Sequence, residues 1–253
     1  MYFSYEHLQL RYEPFPIGIA RPLMDETLYG EMLDNYPDIA LFESHAEYGK
    51  AGIKYALTEK LNPKKYYEFI KSTPIWRDFH DWITRGSFIR DTVMALKERD
   101  VDLGYEFPDR FEYLKRRLKD IRNGRFCSSQ PPLNARFEFS ALPANGGRVV
   151  PHTDATRKLI TLVVSMVREG EWNSACGGGT DANRPKDPRL TYNYGNAHAE
   201  FEDMEVIETF EYQPNQAVIF VKTFNSWHSV RPMTGTSSDA LRKTLTINIM
   251  RKY

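Results

Sequence analysis

PHTDATRKLITLVVSMV, residues 151–167, decides both the architecture and the chemistry expected of this chain. Its second part, Leu159 to Val167, is apolar, rich in branched residues, shorter than a typical helix and bounded by charge, which reads as a buried strand. The two faces of that strand differ. Ile160, Leu162, Val164 and Met166 form a bulky side, whereas Thr161, Val163 and Ser165 form a smaller and partly polar one. Such a strand packs one side on a helix layer and turns the other toward a cavity. The first part sets His152 and Asp154 two residues apart. Pro151 suits the start of a strand, where its missing N–H costs no ladder bond. Residues i and i+2 of an extended chain face the same way, so the imidazole and the carboxylate are expected to project into one space. A helix would swing them about 200° apart.

Working outward, Asn215 to Val230 (NQAVIFVKTFNSWHSV) gives a buried strand over Ala217–Val221, a turn at Asn225-Ser226, and a strand start at Trp227-His228-Ser229-Val230. Pro232 limits that strand, and residues 234–239 are a loop. Arg242 to Met250 then alternates cleanly: Arg242, Thr244, Thr246 and Asn248 share one face, Lys243, Leu245, Ile247 and Ile249 the other. A terminal strand with a polar row fits a polar cavity. An H-x-D pair alone is a weak signal in a chain with six His. Joined by His228 it becomes two imidazoles and one carboxylate, the set that holds Fe(II) on one face and leaves the other positions open.

Pro151-His152-Thr153-Asp154, Trp227-His228-Ser229-Val230-Arg231-Pro232 and Arg242-Lys243-Thr244-Leu245-Thr246-Ile247 together resemble the iron(II)/2-oxoglutarate-dependent oxygenases, in their prolyl-4-hydroxylase-like branch. Arg136-Phe137-Glu138-Phe139 and Asn145-Gly146-Gly147 look like that branch's first core strand and turn, and Trp172 with Gly177-Gly178-Gly179 like its tryptophan and glycine pair. The resemblance spans about residues 130 to 253, in order throughout. It implies an α+β fold in which a double-stranded β-helix (jelly-roll) barrel is braced by N-terminal helices. One oxygenase domain over 1–253 is expected, with 1–125 mainly helical support and 126–253 the jelly-roll core.

The resemblance also implies roles. His152, Asp154 and His228 match the metal ligands, and Arg242 matches the residue that binds the distal carboxylate of 2-oxoglutarate. A planar, permanently charged guanidinium suits a carboxylate. Thr161, Ser165 and Thr244 are candidate hydroxyl donors beside it. Many relatives place tyrosines near the positions of Leu142 and Ser165; this chain has neither. The cofactor set is Fe(II), with 2-oxoglutarate and O2 as co-substrates. The implied reaction hydroxylates an unactivated C–H with succinate and CO2 as co-products, and the retained Asp154 speaks against halogenation. A small metabolite, sugar or amino-acid-derived substrate is the first expectation. The alternatives are a protein (prolyl or other side-chain) hydroxylase and a catalytically silent metal- or ligand-binding barrel.

Composition sets the bounds. The 253 residues suffice for a sizeable core. With 34 acidic and 34 basic residues, nothing pulls the whole chain toward nucleic acid or an anionic membrane. Two Cys give no disulfide framework and suit a reducing compartment. The opening MYFSYEHLQLRYEPFP lacks the basic and apolar regions of a signal peptide, and no apolar run of about eighteen residues exists, so a cytoplasmic enzyme without a membrane span is expected.

Asp25 caps a helix with Leu28, Tyr29, Met32, Leu33 and Tyr36 inward and Pro37 as its stop; Asn62-Pro63 and Thr73-Pro74 open two more, and Gly86-Ser87 another through Val93 and Leu96. A further helix over Pro108–Asn123 is expected to turn Phe111, Leu114, Leu118 and Ile121 inward and to stop at Gly124, with Lys115-Arg116-Arg117 on a solvated face. Gly170 to Asp203 reads as a long polar loop over the metal. Trp172, Tyr192 and Tyr194 in that loop, with Glu138 and Asn248, are candidate substrate contacts. The loop Phe42 to Ala56, with Tyr48, Lys50 and Lys54, is a second candidate wall. His45-x-Glu47 and His198-x-Glu200 are rival His–carboxylate pairs, both in polar, loop-like sequence. His7 and His80 read as surface or helix histidines, Cys127 and Cys176 as core or loop residues.

Overall fold

In this computed structural model residues 2–45, 54–108, 110–123 and 132–252 are described. Short strands β1 (Gln9–Arg11) and β2 (Ile17–Ala20) precede helix α1 (Glu26–Asp34); β3 (Glu43–His45) and β4 (Lys54–Leu57) precede helices α2 (Pro63–Ser72), α3 (Pro74–Arg85), α4 (Phe88–Lys97) and α5 (Arg110–Arg122). Eight strands follow: β5 (Leu133–Pro143), β6 (Val149–His152), β7 (Lys158–Ser165), β8 (Thr180–Pro185), β9 (Met204–Phe210), β10 (Ala217–Val221), β11 (His228–Val230) and β12 (Leu241–Arg251).

They build two antiparallel sheets, one of eight strands in the order β1-β2-β10-β7-β12-β5-β4-β3 and one of four in the order β6-β11-β8-β9. Among the described residues no strand pairs into both, so the sheets do not close into a barrel.

Period-2 alternation gives the large sheet a dry side and a cavity side. Phe137 and Phe139 of β5, Ile160, Leu162 and Val164 of β7, Ile219 of β10, and Leu245, Ile247 and Ile249 of β12 are buried against the helices with Trp76, Phe79, Ile83, Phe88 and Leu96. Trp76 meets Phe139 edge-on with ring centroids 4.7 Å apart, and its indole N–H donates to the Asn35 carbonyl at 2.6 Å. Each such side chain stabilises the fold by about 1.5–3 kcal/mol relative to exposure. The opposite faces of the same strands present Glu138, Ser140, Thr161, Val163, Phe220, Arg242, Thr244 and Thr246 to a cavity shared with the small sheet.

Capping follows chemistry. The Asp25 carboxylate accepts from the N–H groups of Thr27 (2.9 Å) and Leu28 (3.3 Å) at the start of α1. Pro63 and Pro74 sit in the first turns of α2 and α3, but Asn62 does not cap; its amide oxygen accepts from the Thr58 N–H at 2.7 Å.

The N-terminal half holds α1 to α5, and its short strands β1 to β4 extend the large sheet at both edges. Three expectations are corrected. The stretch Gly170 to Asp203 is not one loop but contains β8, which pairs with both β9 and β11. The apolar face of α5 is not inward: Phe111, Leu114, Leu118 and Ile121 are 69%, 52%, 67% and 48% exposed. Helical spacing records an amphipathic face but not what covers it, and no described residue covers this one. Pro151 lies inside β6 rather than at its start, which an edge strand tolerates. Gly124, Cys127, Glu47, Tyr48 and Lys50 lie outside the described residues. Among the described residues no helix is long and apolar enough to cross a membrane.

Candidate metal centre

Register brings the distant histidines together. β11 pairs with β6 so that His228 lies opposite His152, and the two rings approach to 4.3 Å between centroids. The Phe220 ring backs His228 at 4.3 Å. Each imidazole donates Nδ1–H to a backbone carbonyl, His152 to Val150 and His228 to Ser226, both at 2.9 Å. A carbonyl can only accept, so both tautomers are fixed and both Nε2 atoms are left as bases.

Asp154 arrives by a route the alternation of a strand does not supply. β6 ends at His152, and Asp154 has φ +72°, in the left-handed region that Asp tolerates better than most residues. Thr153 turns away, its hydroxyl donating to the Asn193 carbonyl at 2.7 Å, while Ser226 donates to the Thr153 carbonyl at 3.2 Å. The shared bite therefore comes from a left-handed turn after the strand, not from an extended i, i+2 pair. One donor atom each from His152, Asp154 and His228 lies within 4.8 Å of the others.

Electrostatics suit a cation. Burial alone would raise the Asp154 carboxyl, but the Lys158 ammonium 2.6 Å from Oδ1, helped by the imidazoles, holds it well below the usual carboxylate range. Thr161 donates to Asp154 Oδ2 at 3.0 Å. Burial, reinforced by His152, pushes His228 down to about 3, so it stays neutral and available.

The cavity above these residues has a volume of about 220 Å³. Arg242 closes it at a distance from the triad. It is 5% exposed, donates to the Gly178 carbonyl, approaches Thr180 Oγ1 at 3.5 Å and lies over the Tyr212 ring at 5.0 Å. Burial lowers its pKa to about 10, against the opposing pull of Tyr212 and Asp181, and it remains charged at neutral pH. Among the described residues no carboxylate pairs with it. Gly178 has φ +93°, and a Cβ there would meet Trp172, the Arg242 stem and Met233 at 3.1–3.2 Å, which explains glycine at that point.

The other sequence candidates divide. Thr244 lines the cavity and shares a hydrogen bond with Ser140 at 2.8 Å, and Glu138 lines it while pairing with Lys54 at 3.7 Å. Thr161 also lines it, but its hydroxyl serves Asp154 and Asn248 (3.1 Å) at the triad rather than Arg242. Ser165 and Asn248 are buried outside the lining, Asn248 because its amide oxygen meets Thr161. Trp172 packs edge-on against Tyr212 at 5.4 Å and donates to the Gly177 carbonyl, behind Arg242 rather than in the cavity. Tyr192 and Tyr194 are 74% and 69% exposed, and Tyr192 stacks on Phe224 at 4.6 Å. Of the rival pairs, His198 reaches the cavity wall, 5.8 Å from the His152 ring, but is outside the donor cluster.

Sequence periodicity does not single out Lys158. Strict alternation groups it with Ile160, toward the helices. The register of β7 on β12 slips between Ile160↔Ile249 and Lys158↔Met250, and that bulge turns Lys158 to the cavity. Tyr212, on the loop after β9, carries no sequence signal of its role beneath Arg242. A second cavity of about 400 Å³ shares Lys54 and Glu138 with the first and continues over Arg136, Glu59 and Lys60.

No family model and no curated protein matches the chain. Among solved structures it is similar to a Pseudomonas putida prolyl-4-hydroxylase, at 11% identity and TM-score 0.47 over 93% of this chain and 92% of that one. It is similar also to a prolyl hydroxylase from Trichoplax adhaerens in complex with a hypoxia inducible factor oxygen degradation domain peptide fragment, at 11% identity and TM-score 0.46 over 93% and 83%. A 2OG-Fe(II) oxygenase family oxidoreductase from Burkholderia pseudomallei aligns over 56% and 58% at 15% identity and TM-score 0.32.

Proposed function

We propose that the chain is an Fe(II)- and 2-oxoglutarate-dependent dioxygenase built on a jelly-roll core, hydroxylating a small metabolite, sugar or amino-acid-derived substrate. The observation that carries this is the coexistence, in one cavity, of two tautomer-fixed imidazoles with an ionised carboxylate and of a buried guanidinium lacking a carboxylate partner among the described residues. Two His and one Asp on one side, with open space beyond, are the ligand pattern of mononuclear non-haem iron. The donor chemistry fits: Nε2 of His152, Nε2 of His228 and one Asp154 oxygen are the atoms that would hold the ion.

When bound, the ferrous ion with 2-oxoglutarate and O2 supplies the oxidising power for C–H hydroxylation, yielding succinate and CO2. The protein's own residues bind and orient. Arg242 takes the distal carboxylate, with Thr244 as its neighbour in the cavity, and the Gly178 carbonyl and Tyr212 ring keep the guanidinium aimed. Nδ1–H of each imidazole stays on its carbonyl, so neither ring exchanges a proton during turnover. Phe220, Val163 and Leu142 keep the chamber apolar where a carbon chain would lie. A volume of about 220 Å³, below the roughly 300–1,000 Å³ usual for drug-sized ligands, favours a small reacting group.

The test is succinate formation from 2-oxoglutarate by the Fe(II)-loaded protein, with His152→Ala as control. Turnover above background that disappears in the variant supports the reading. No succinate under any condition would identify a silent barrel. Metabolite and peptide panels, read by the mass gain of one oxygen, separate a small-molecule from a protein hydroxylase.

A further inference from the structure

Resting on that reading, we propose that Lys158 is the substrate-recognition residue and that it takes a carboxylate, so that the substrate is a small monoanionic carboxylic acid. The argument is one of charge and position. The cavity is lined by the cations Lys54, Lys158 and Arg242 and the anions Glu138 and Asp154, one more formal positive charge than negative. Lys54 and Glu138 satisfy one another at 3.7 Å. Lys158 is held by Asp154 alone among the described residues, at 2.6 Å.

Loading the site redistributes these charges without changing their sum, because a dication and the 2-oxoglutarate dianion cancel. Arg242 is then compensated by the dianion, and the single charge of Asp154 is drawn to the ion. Asp154 Oδ1 is the oxygen that faces both His152 Nε2, at 3.5 Å, and the Lys158 ammonium, so ion and ammonium compete for it. A bound metal would be the largest local charge there and would draw Asp154 away from the ammonium. The surplus positive charge is thereby localised on Lys158, whose side chain is 20% exposed. Lys222, half-buried with Nζ 3.4 Å from the Asn193 carbonyl, adds the same sign behind it.

A carboxylate matches the single surplus charge that the lining itself carries. Because Lys158 reaches the chamber beside a metal ligand, an acid anchored there has its nearest carbons next to the metal position. A merely structural counter-ion to Asp154 would make a different prediction: its loss would weaken the fold but leave ligand preference alone.

The experiment uses full-length protein loaded anaerobically with Mn(II) and 2-oxoglutarate, which does not turn over. Calorimetric titration compares N-acetyl L-amino acids and short-chain hydroxy acids, monoanions at neutral pH, with their carboxamides. At least one acid should bind about tenfold or more tightly than its amide, the worth of a charge-assisted hydrogen bond. In Lys158→Met acid and amide should bind alike, and Lys158→Arg should restore the preference. Equal binding of acid and amide to the wild type, a preference that survives Lys158→Met, or no acid binding at all would overturn the proposal. Failure of 2-oxoglutarate to bind the Mn(II)-loaded wild type would overturn the underlying oxygenase reading instead.

Discussion

Replacing Arg242 by Met separates co-substrate binding from fold stability, because only binding is expected to change strongly. The guanidinium is 5% exposed; it donates to the Gly178 carbonyl, approaches Thr180 at 3.5 Å and lies over the Tyr212 ring. Losing hydrogen bonds made by a charged group costs about 1.5–3 kcal/mol each. Removing a charge buried without a paired carboxylate among the described residues relieves a desolvation penalty of several kcal/mol, which offsets that loss. The melting temperature of the ligand-free protein is therefore expected to change little. Binding behaves otherwise. Truncating one partner of a buried, hydrogen-bonded charge pair costs about 2–5 kcal/mol, which at about 1.4 kcal/mol per decade raises the 2-oxoglutarate Kd roughly 30- to 4,000-fold. Anaerobic calorimetric titration of 2-oxoglutarate into Mn(II)-loaded wild type and variant measures the ratio. A Kd within about threefold of wild type would refute the role assigned to Arg242.

Acid should destabilise the metal-free protein. An unfolded His takes its proton near pH 6.5, but His228 in the fold does not until about 3, so the stability it confers is complete above 6.5 and declines as pH falls through that interval, by up to about 1.4 kcal/mol per unit. Asp154, held below its ordinary 3.8, acts in the same direction at lower pH. Melting temperatures at pH 7.5 and 5 should fall less for His228→Gln than for wild type; equal falls would contradict the assignment. Thr161→Val, which removes the donor to Asp154 Oδ2, should weaken Co(II) binding about 10- to 100-fold in a spectroscopic titration while leaving the fold intact. Tyr29 donates to the Val167 carbonyl at 2.7 Å and accepts from the Val167 N–H at 3.1 Å, so Tyr29→Phe should lower the urea midpoint by the equivalent of about 1–3 kcal/mol without altering metal affinity.

The strands that were legible are those held by apolar burial. Ala217–Val221 is observed within its expected bounds, and the division of β7 into Ile160, Leu162 and Val164 against Thr161 and Val163 separates helix side from cavity side. β8, TDANRP, was not legible because its inward residues are polar and are satisfied by side chains. Asp181 pairs with Arg231 at 3.0 Å and Asn183 donates to Ser229 at 2.8 Å. β1, β2, β3 and β4 have three or four residues each, too few for alternation to register. The identities of the triad could be read from residue type and spacing, but its geometry could not: a left-handed Asp154 and a slipped Lys158 are departures from strand regularity that a repeating pattern cannot encode.

The pairing of β2 with β10 ties Ile17 to Phe220 and Ala20 to Ala217, across about 200 residues of chain. At roughly 5–20 residues per second on the ribosome, the early segment waits some 10–40 s for its neighbour to be made. Through that wait an apolar stretch, IGIA, is without its partner. This sheet is thus assembled late, from strands made early and late in synthesis, and a nascent chain interrupted before residue 217 retains the helices and the exposed Phe111 ridge but lacks β10, β11 and β12, and with them two of the four residues to which the proposed chemistry is assigned, His228 and Arg242.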